Sequence, residues 1–85
     1  MIDATNGNSF YGYQSGSVTA SGGQNSGFGS GSLKAVTTGS QNSAFGSNAL
    51  INNTTGNFNT AIGQSALAIN TTGSYNTALG VAASV

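Results

Sequence analysis

The sequence has almost no charge and lacks several residue types that carry chemistry. Asp3 and Lys34 are its only acidic and basic side chains, and it contains no histidine, cysteine, proline or tryptophan. One lysine cannot neutralise the several phosphates that nucleic-acid binding requires, so no nucleic-acid partner is expected. The many serines have no histidine to activate them. The chain is therefore predicted to be no enzyme and to need neither metal nor cofactor.

Long apolar runs are also missing. No stretch approaches the roughly 18 residues needed to span a bilayer, so no membrane insertion is expected. With 85 residues, the chain is short enough that a conventional core is hard to build. Some other arrangement than a globular core is expected to stabilise it.

What the sequence does contain is a 17-residue repeat. Asparagine recurs at this interval, and glycine follows four residues later each time, behind a large apolar residue. The members are Asn8, Asn25, Asn42, Asn59 and Asn76; Gly12, Gly29, Gly46, Gly63 and Gly80; and Tyr11, Phe28, Phe45, Ile62 and Leu79. Leu33, Leu50 and Leu67 keep the same register, as do Gly22, Gly39, Gly56 and Gly73. The chain divides into residues 1–7, an N-terminal half-coil or cap, and the repeats 8–24, 25–41, 42–58, 59–75 and 76–85.

The period and the composition favour an all-β fold. Seventeen residues are too few for a helical hairpin repeat, which needs about 34. Glycine, serine, threonine and asparagine favour turns over helix. We predict a short parallel β-solenoid, or β-roll, of five 17-residue coils with two short strands in each coil, stacked by backbone hydrogen bonds.

Stacking turns each repeated position into a column of like residues. We expect the column that runs from Tyr11 to Leu79 to lie inside, facing the leucines across a thin core. The alternating residues Ala44, Ala61 and Ala78 should then face outward. The recurring glycines should permit positive φ at corners. The recurring asparagines should bond corner backbone groups and stack on their copies.

The strings Asn42-Ser-Ala-Phe-Gly46, Asn59-Thr-Ala-Ile-Gly63 and Asn76-Thr-Ala-Leu-Gly80 resemble the head repeats of trimeric autotransporter adhesins (YadA-like heads). The longer phrase Asn70 to Gly80 also resembles repeats of phage tail fibres and related bacterial fibre proteins. The resemblance implies a left-handed parallel β-roll with three chains side by side. It further implies a structural role in surface attachment and an extracellular, cell-surface or virion location.

Candidate binding residues are few. Tyr13, Phe58 and Tyr75 are the candidates for contact with a host-surface receptor or a glycan, and packing between neighbouring chains is the alternative for Phe58 and Tyr75. The Thr-Thr pairs suggest an ice-binding face, but only one threonine of each pair can join a flat face in a strand, so a structural role is favoured. Asn52, Asn53 and Asn70 match the N-glycosylation pattern, which arises easily by chance in such a composition.

Two assemblies of the chain with itself stay open at this point, a homotrimer and a head-to-tail polymer. The seven residues before Asn8 and the ten from Asn76 onward add up to one coil, so stacked copies would continue the register. A segment cut from a longer fibre protein would look the same. A disordered, prion-like tract is the third hypothesis, and the fixed period argues against it.

Overall fold

The computed structural model describes residues 1–84, which form six short strands in one sheet and no helix. The strands are β1 (Ile2–Asp3), β2 (Asn8–Tyr11), β3 (Ser26–Phe28), β4 (Ser43–Phe45), β5 (Thr60–Ile62) and β6 (Thr77–Leu79). Their order in the sheet is the order along the chain. Consecutive strands therefore lie side by side, as the repeat predicts.

Strands β2 to β6 are parallel and stack in the register of the sequence repeat. Phe28 pairs with both Tyr11 and Phe45, and Ile62 pairs with both Phe45 and Leu79. Every step between partners is 17 residues. The prediction of an all-β parallel solenoid with 17-residue coils is confirmed.

The N-terminal segment departs from this pattern. Strand β1 runs antiparallel to β2, with Ile2 opposite Ser9 and Asp3 opposite Asn8. Residues 1–7 thus fold back over the first coil as a hairpin. At the other end, Val85, the last residue of the 76–85 repeat, lies outside the described residues.

Each coil contains one strand where two were expected. The opposite side is a run of turns, in which Ser32 N–H donates to Gly29 O at 3.1 Å and Val36 N–H donates to Leu33 O at 3.2 Å. These turns still bond from coil to coil, as in Leu33 N–H to Ala49 O at 3.1 Å. Stacking of the coils therefore does not require a second strand.

The leucines on the turn side have an unusual backbone. Leu33, Leu50 and Leu67 have φ of 53°, 52° and 52°, the left-handed region that side chains other than glycine seldom adopt. All three side chains are buried, as predicted. Burial of a large apolar side chain contributes about 1.5–3 kcal/mol, which is comparable with the order of 1–3 kcal/mol that such a conformation costs.

The expected inside and outside of the strand are reversed. Ala44 and Ala61 are fully buried, whereas Phe45 and Ile62 are 41 % and 44 % exposed. The prediction that the large apolar column faces inward and the alanines outward is therefore wrong. The column with outward side chains comprises Tyr11, Phe28, Phe45, Ile62 and Leu79, and we call it the outer column.

The reversal follows from the asparagines. Asn25, Asn42 and Asn59 are fully buried, and residues two apart along a strand point to the same side. The position two residues after each asparagine therefore also faces inward. In the third coil Leu50 is the large buried residue of the turn side, and Ala44 belongs to the same core cluster.

The glycines that follow the outer column are required by the stacking. Gly46 has φ of 135°, and a Cβ on it would lie 2.6 Å from Gly63 O of the next coil. The expected positive φ is confirmed at these positions. Gly39 belongs to the second glycine column, where φ is not positive, and a Cβ would lie 2.5 Å from Gly56 O. Close approach of successive coils explains glycine there.

Candidate interaction surface

The outer column is a continuous apolar stripe along the solenoid. The rings of Tyr11 and Phe28 stack at a centroid distance of 4.9 Å, and those of Phe28 and Phe45 stack at 5.0 Å. Ile62 and Leu79 extend the stripe through the last two strands. Five large apolar side chains in a row, all partly open to water, form a surface suited to contact with another molecule.

The surroundings of the outer column are uncharged. A column of hydroxyl residues lies two positions before it along each strand, formed by Ser9, Ser26, Ser43, Thr60 and Thr77. The only ionisable side chains other than tyrosine are Asp3, which belongs to the N-terminal hairpin, and Lys34, which belongs to the turn side. The surface therefore offers shape and apolar contact but no charge.

A second, shorter aromatic stack lies just before the asparagines. Phe58 and Tyr75 stack at 5.0 Å with an interplanar angle of 9°. Both have left-handed backbone conformations, as do Gln24 and Gln41 at the same position of earlier coils. Tyr75 is 77 % exposed, and Tyr13, in the first coil, is exposed to a similar degree. The structure thus brings together two of the three candidate binding residues, and the third has no stacked ring among the described residues.

The interior polar structure is an asparagine ladder. Asn25 Oδ1 accepts hydrogen bonds from the backbone N–H and the side-chain Nδ2 of Asn42, both at 3.0 Å. Asn42 Nδ2 also donates to Gly56 O at 2.8 Å, which joins the strand to the corner that precedes the next strand. Every buried side-chain nitrogen and oxygen atom in residues 1–84 has a hydrogen-bond partner. The predicted role of the asparagines is confirmed.

The first asparagine has a different partner. Asn8 Nδ2 donates to Asp3 Oδ2 at 3.1 Å, where an asparagine of a preceding coil would otherwise supply the acceptor. Sequence reasoning missed this role of Asp3. The 17-residue repeat gave no signal for it, because Asp3 has no copy in the other coils.

The threonine pairs and the glycosylation motifs have mainly structural roles. Thr37 Oγ1 and Thr54 Oγ1 donate to backbone oxygens of the next coil, so these hydroxyls are already bonded. Asn53 is fully buried and its side chain bonds Asn70, while Asn52 is exposed. Asn70 is half-buried, so of the three motif asparagines Asn53 alone is closed to solvent.

The described residues contain no cluster of groups typical of metal binding or catalysis. No three histidine, cysteine, aspartate or glutamate side chains cluster within residues 1–84. Two open depressions lie beside Ile69 near the last coil and are lined by Leu67, Asn70, Ser84 and neighbouring small residues, with no ionisable side chain. No helix in the described part of the chain could span a bilayer. The outer column is therefore the strongest candidate for a functional surface.

Comparison of the chain with protein-family models, with curated proteins and with solved structures gives no match.

Proposed function

We propose that this chain is a non-enzymatic structural module of an extracellular, cell-surface or virion fibre, in which copies associate side by side through the outer column. The observation that carries the proposal is the continuous exposed apolar stripe from Tyr11 to Leu79. The resemblance of the repeats to adhesin heads and tail fibres supports three chains in each assembly.

The energetics agree with a concentration-dependent assembly. Covering the exposed half of one large apolar side chain gains roughly 1 kcal/mol, so each chain that joins, by covering its own five side chains and five of a neighbour, gains about 10 kcal/mol. Association costs roughly 4–15 kcal/mol in lost freedom. The column therefore supports association that a single substitution weakens measurably.

The test is the mass of the chain in solution, measured by light scattering after size exclusion over a range of concentrations. We expect the native chain to form trimers, and Phe28→Ser or Phe45→Ser to shift it towards monomer with an unchanged circular dichroism spectrum. Tyr13→Ser is the matched control, because Tyr13 is exposed but lies outside the column. A native chain that is monomeric throughout, or a control that dissociates the assembly equally, would contradict the proposal.

Attachment is a second part of the proposed function. Phe58 and Tyr75 present one ring stack that is open to solvent, and flat aromatic surfaces bind apolar faces of ligands. We expect Tyr75→Ala to abolish binding to a glycan or host-surface receptor while the mass of the assembly stays the same. A loss of the assembly with this substitution would instead assign the stack to packing between chains.

A head-to-tail filament is the alternative function. It is favoured by β6, whose outer edge pairs with no strand among the described residues. It is opposed by β1, which occupies the corresponding edge of β2. Side-by-side association needs no such rearrangement, and we prefer it for this reason.

A further inference from the structure

The hairpin at the start of the chain occupies the position that a preceding coil would take. Phe10 N–H donates to Met1 O at 2.8 Å, and the Met1 amino group donates to Phe10 O. In a parallel stack these two groups of Phe10 would bond the strand before β2. Residues 1–7, which we call the cap, therefore cover one edge of the sheet.

Asp3 connects the cap to the solenoid. Its carboxylate accepts hydrogen bonds from Thr5 N–H, Asn6 N–H and Asn6 Nδ2 within the cap, at 3.1 to 3.2 Å. It also accepts the bond from Asn8 Nδ2 at 3.1 Å. Asn25 and Asn42 donate equivalent bonds, at 3.0 Å, to the asparagine one coil earlier. Asp3 thus ends the asparagine ladder and holds the cap with the same group.

The covered edge matches the opposite edge of the sheet. Ser9, Ser26, Ser43 and Thr60 each donate their backbone N–H to the asparagine carbonyl of the following coil, at 2.8 to 2.9 Å. By the same register, Thr77 N–H points away from β5. Unpaired strand edges of this kind accept further strands. Asn8 is the first asparagine of the repeat, so its carbonyl is the equivalent acceptor for an N–H such as that of Thr77.

We propose that the cap is a removable cover on the β2 edge, that Asp3 is its latch, and that the partner for the uncovered edge is the β6 edge of a second copy of this chain. Pairing would then continue the 17-residue register from one copy to the next. The latch keeps the chain from elongating along the solenoid axis while leaving the outer column free. The proposal does not depend on side-by-side association.

The first test measures the latch by amide hydrogen exchange in the full chain. Asp3→Ala removes all the carboxylate bonds and should accelerate exchange of the Phe10 amide at least tenfold. The Ser43 amide, bonded to Asn59 O in the middle of the solenoid, should not change. Thr5→Ala is the control, since only the backbone of Thr5 bonds Asp3. Unchanged exchange at Phe10 would overturn the proposal.

The second test measures the partner. Asp3→Ala is combined with Phe45→Ser, which removes side-by-side contacts, and particle length is followed by electron microscopy. We expect elongated particles that are absent from the Phe45→Ser chain alone. Adding Thr77→Pro should abolish them, because proline removes the outward N–H of β6 while the inner hydrogen bonds of that strand remain.

Two outcomes of the second test would overturn the proposal. One is a chain with rapid Phe10 exchange that does not elongate, and the other is elongation that persists with Thr77→Pro. Should Asp3→Ala disturb the whole fold, Asp3→Asn serves in its place, because the amide keeps one acceptor for Asn8 and loses the others. For Asp3→Asn, the proposal predicts a smaller increase in Phe10 exchange than for Asp3→Ala, and elongation that Thr77→Pro still blocks. No increase in Phe10 exchange would oppose the proposal.

Discussion

The first coil and the third coil place their large core side chain on opposite sides of the coil, the strand side in the first and the turn side in the third. In the third coil, a small residue on the strand, Ala44, accompanies a large one on the turn side, Leu50. In the first coil, Phe10 extends inward from the strand, and Gly16 takes the leucine position. A Cβ on Gly16 would lie 2.1 Å from the Phe10 ring. The size of the coil therefore fixes the interior volume to be filled, and the large side chain that fills it can come from either side.

The two coils also differ in how their asparagines are bonded. Asn42 lies between Asn25 and Asn59 in the ladder, whereas Asn8 has a charged residue, Asp3, in place of a preceding asparagine. In an interior coil, the asparagine therefore bonds the equivalent asparagines of the two neighbouring coils. The first coil needs different residues because one of its neighbours is an antiparallel hairpin.

The largest expected effect comes from emptying the first coil. Phe10→Ala should lower the free energy of unfolding by about 3–5 kcal/mol, because no other large side chain fills that interior. Leu50→Ala should cost about 2–5 kcal/mol by the same mechanism in the third coil. Urea unfolding followed by circular dichroism measures both. A loss below about 1 kcal/mol for Phe10→Ala would show that the first coil is not filled from the strand.

The next largest effect on stability is expected from moving the large side chain of the first coil from the strand to the turn side. Gly16→Leu alone should destabilise the chain by roughly 1–3 kcal/mol, because the new side chain meets the Phe10 ring. Combined with Phe10→Ala, the same substitution should restore stability, since Leu33 adopts the left-handed conformation at this position of the next coil. A double-mutant cycle measures the coupling, and additive effects would contradict the volume argument.

Breaking the ladder in an interior coil should cost somewhat less. Asn42→Ala removes the acceptor for the buried Asn59 N–H, at an expected loss of about 1–3 kcal/mol in unfolding free energy. Ser47→Ala in the same coil is an exposed control that should change little. Equal effects of the two substitutions would show that the asparagine ladder does not stabilise the fold.

The smallest effect is expected at the Asp3 end of the comparison. Hydrogen bonds from Asn6 N–H and Asn8 Nδ2 stabilise the charged carboxylate and hold the pKa of Asp3 below its ordinary value. A lowered pKa means that the carboxylate stabilises the cap above the ordinary range and that this contribution is lost as pH falls through the folded-state pKa. Phe10 amide protection should therefore fall in acid. Asp3→Asn should remove this dependence, because the amide does not titrate. A pH response that persists in Asp3→Asn would exclude Asp3 as its source.

The repeat period was enough to predict the stacking and the register from the sequence, because 17-residue spacing at Asn42, Asn59 and Gly46 leaves one consistent alignment. The leucine column was also predictable from its apolar recurrence. Which side chains of the strand face inward was not predictable, because hydrophobicity alone places Phe45 inside and Ala44 outside. Only the requirement that the buried asparagine and Ala44 share one side decides the question.

The remaining features depend on tertiary contacts that no local pattern indicates. Leu50 adopts a positive φ although leucine has no local preference for it, because burial of its side chain offsets the cost. The sequence did not decide whether residues 1–7 form a half-coil or a cap, because they lack the repeat. The bond from Asn8 to Asp3 closes the ladder at this end, and the repeat does not reveal it because Asp3 has no copy in the other coils.

Thiol accessibility tests which residues of a strand face outward, since the chain contains no cysteine of its own. Ala44→Cys and Phe45→Cys place a thiol on adjacent residues of the same strand. We expect the thiol of Phe45→Cys to react rapidly with a thiol reagent in dilute solution and to become protected as copies associate. Cys at 44 should stay protected at every concentration until the chain unfolds. Reaction of the thiol at 44 as fast as that at 45 would contradict both the outward column and the interface proposed on it.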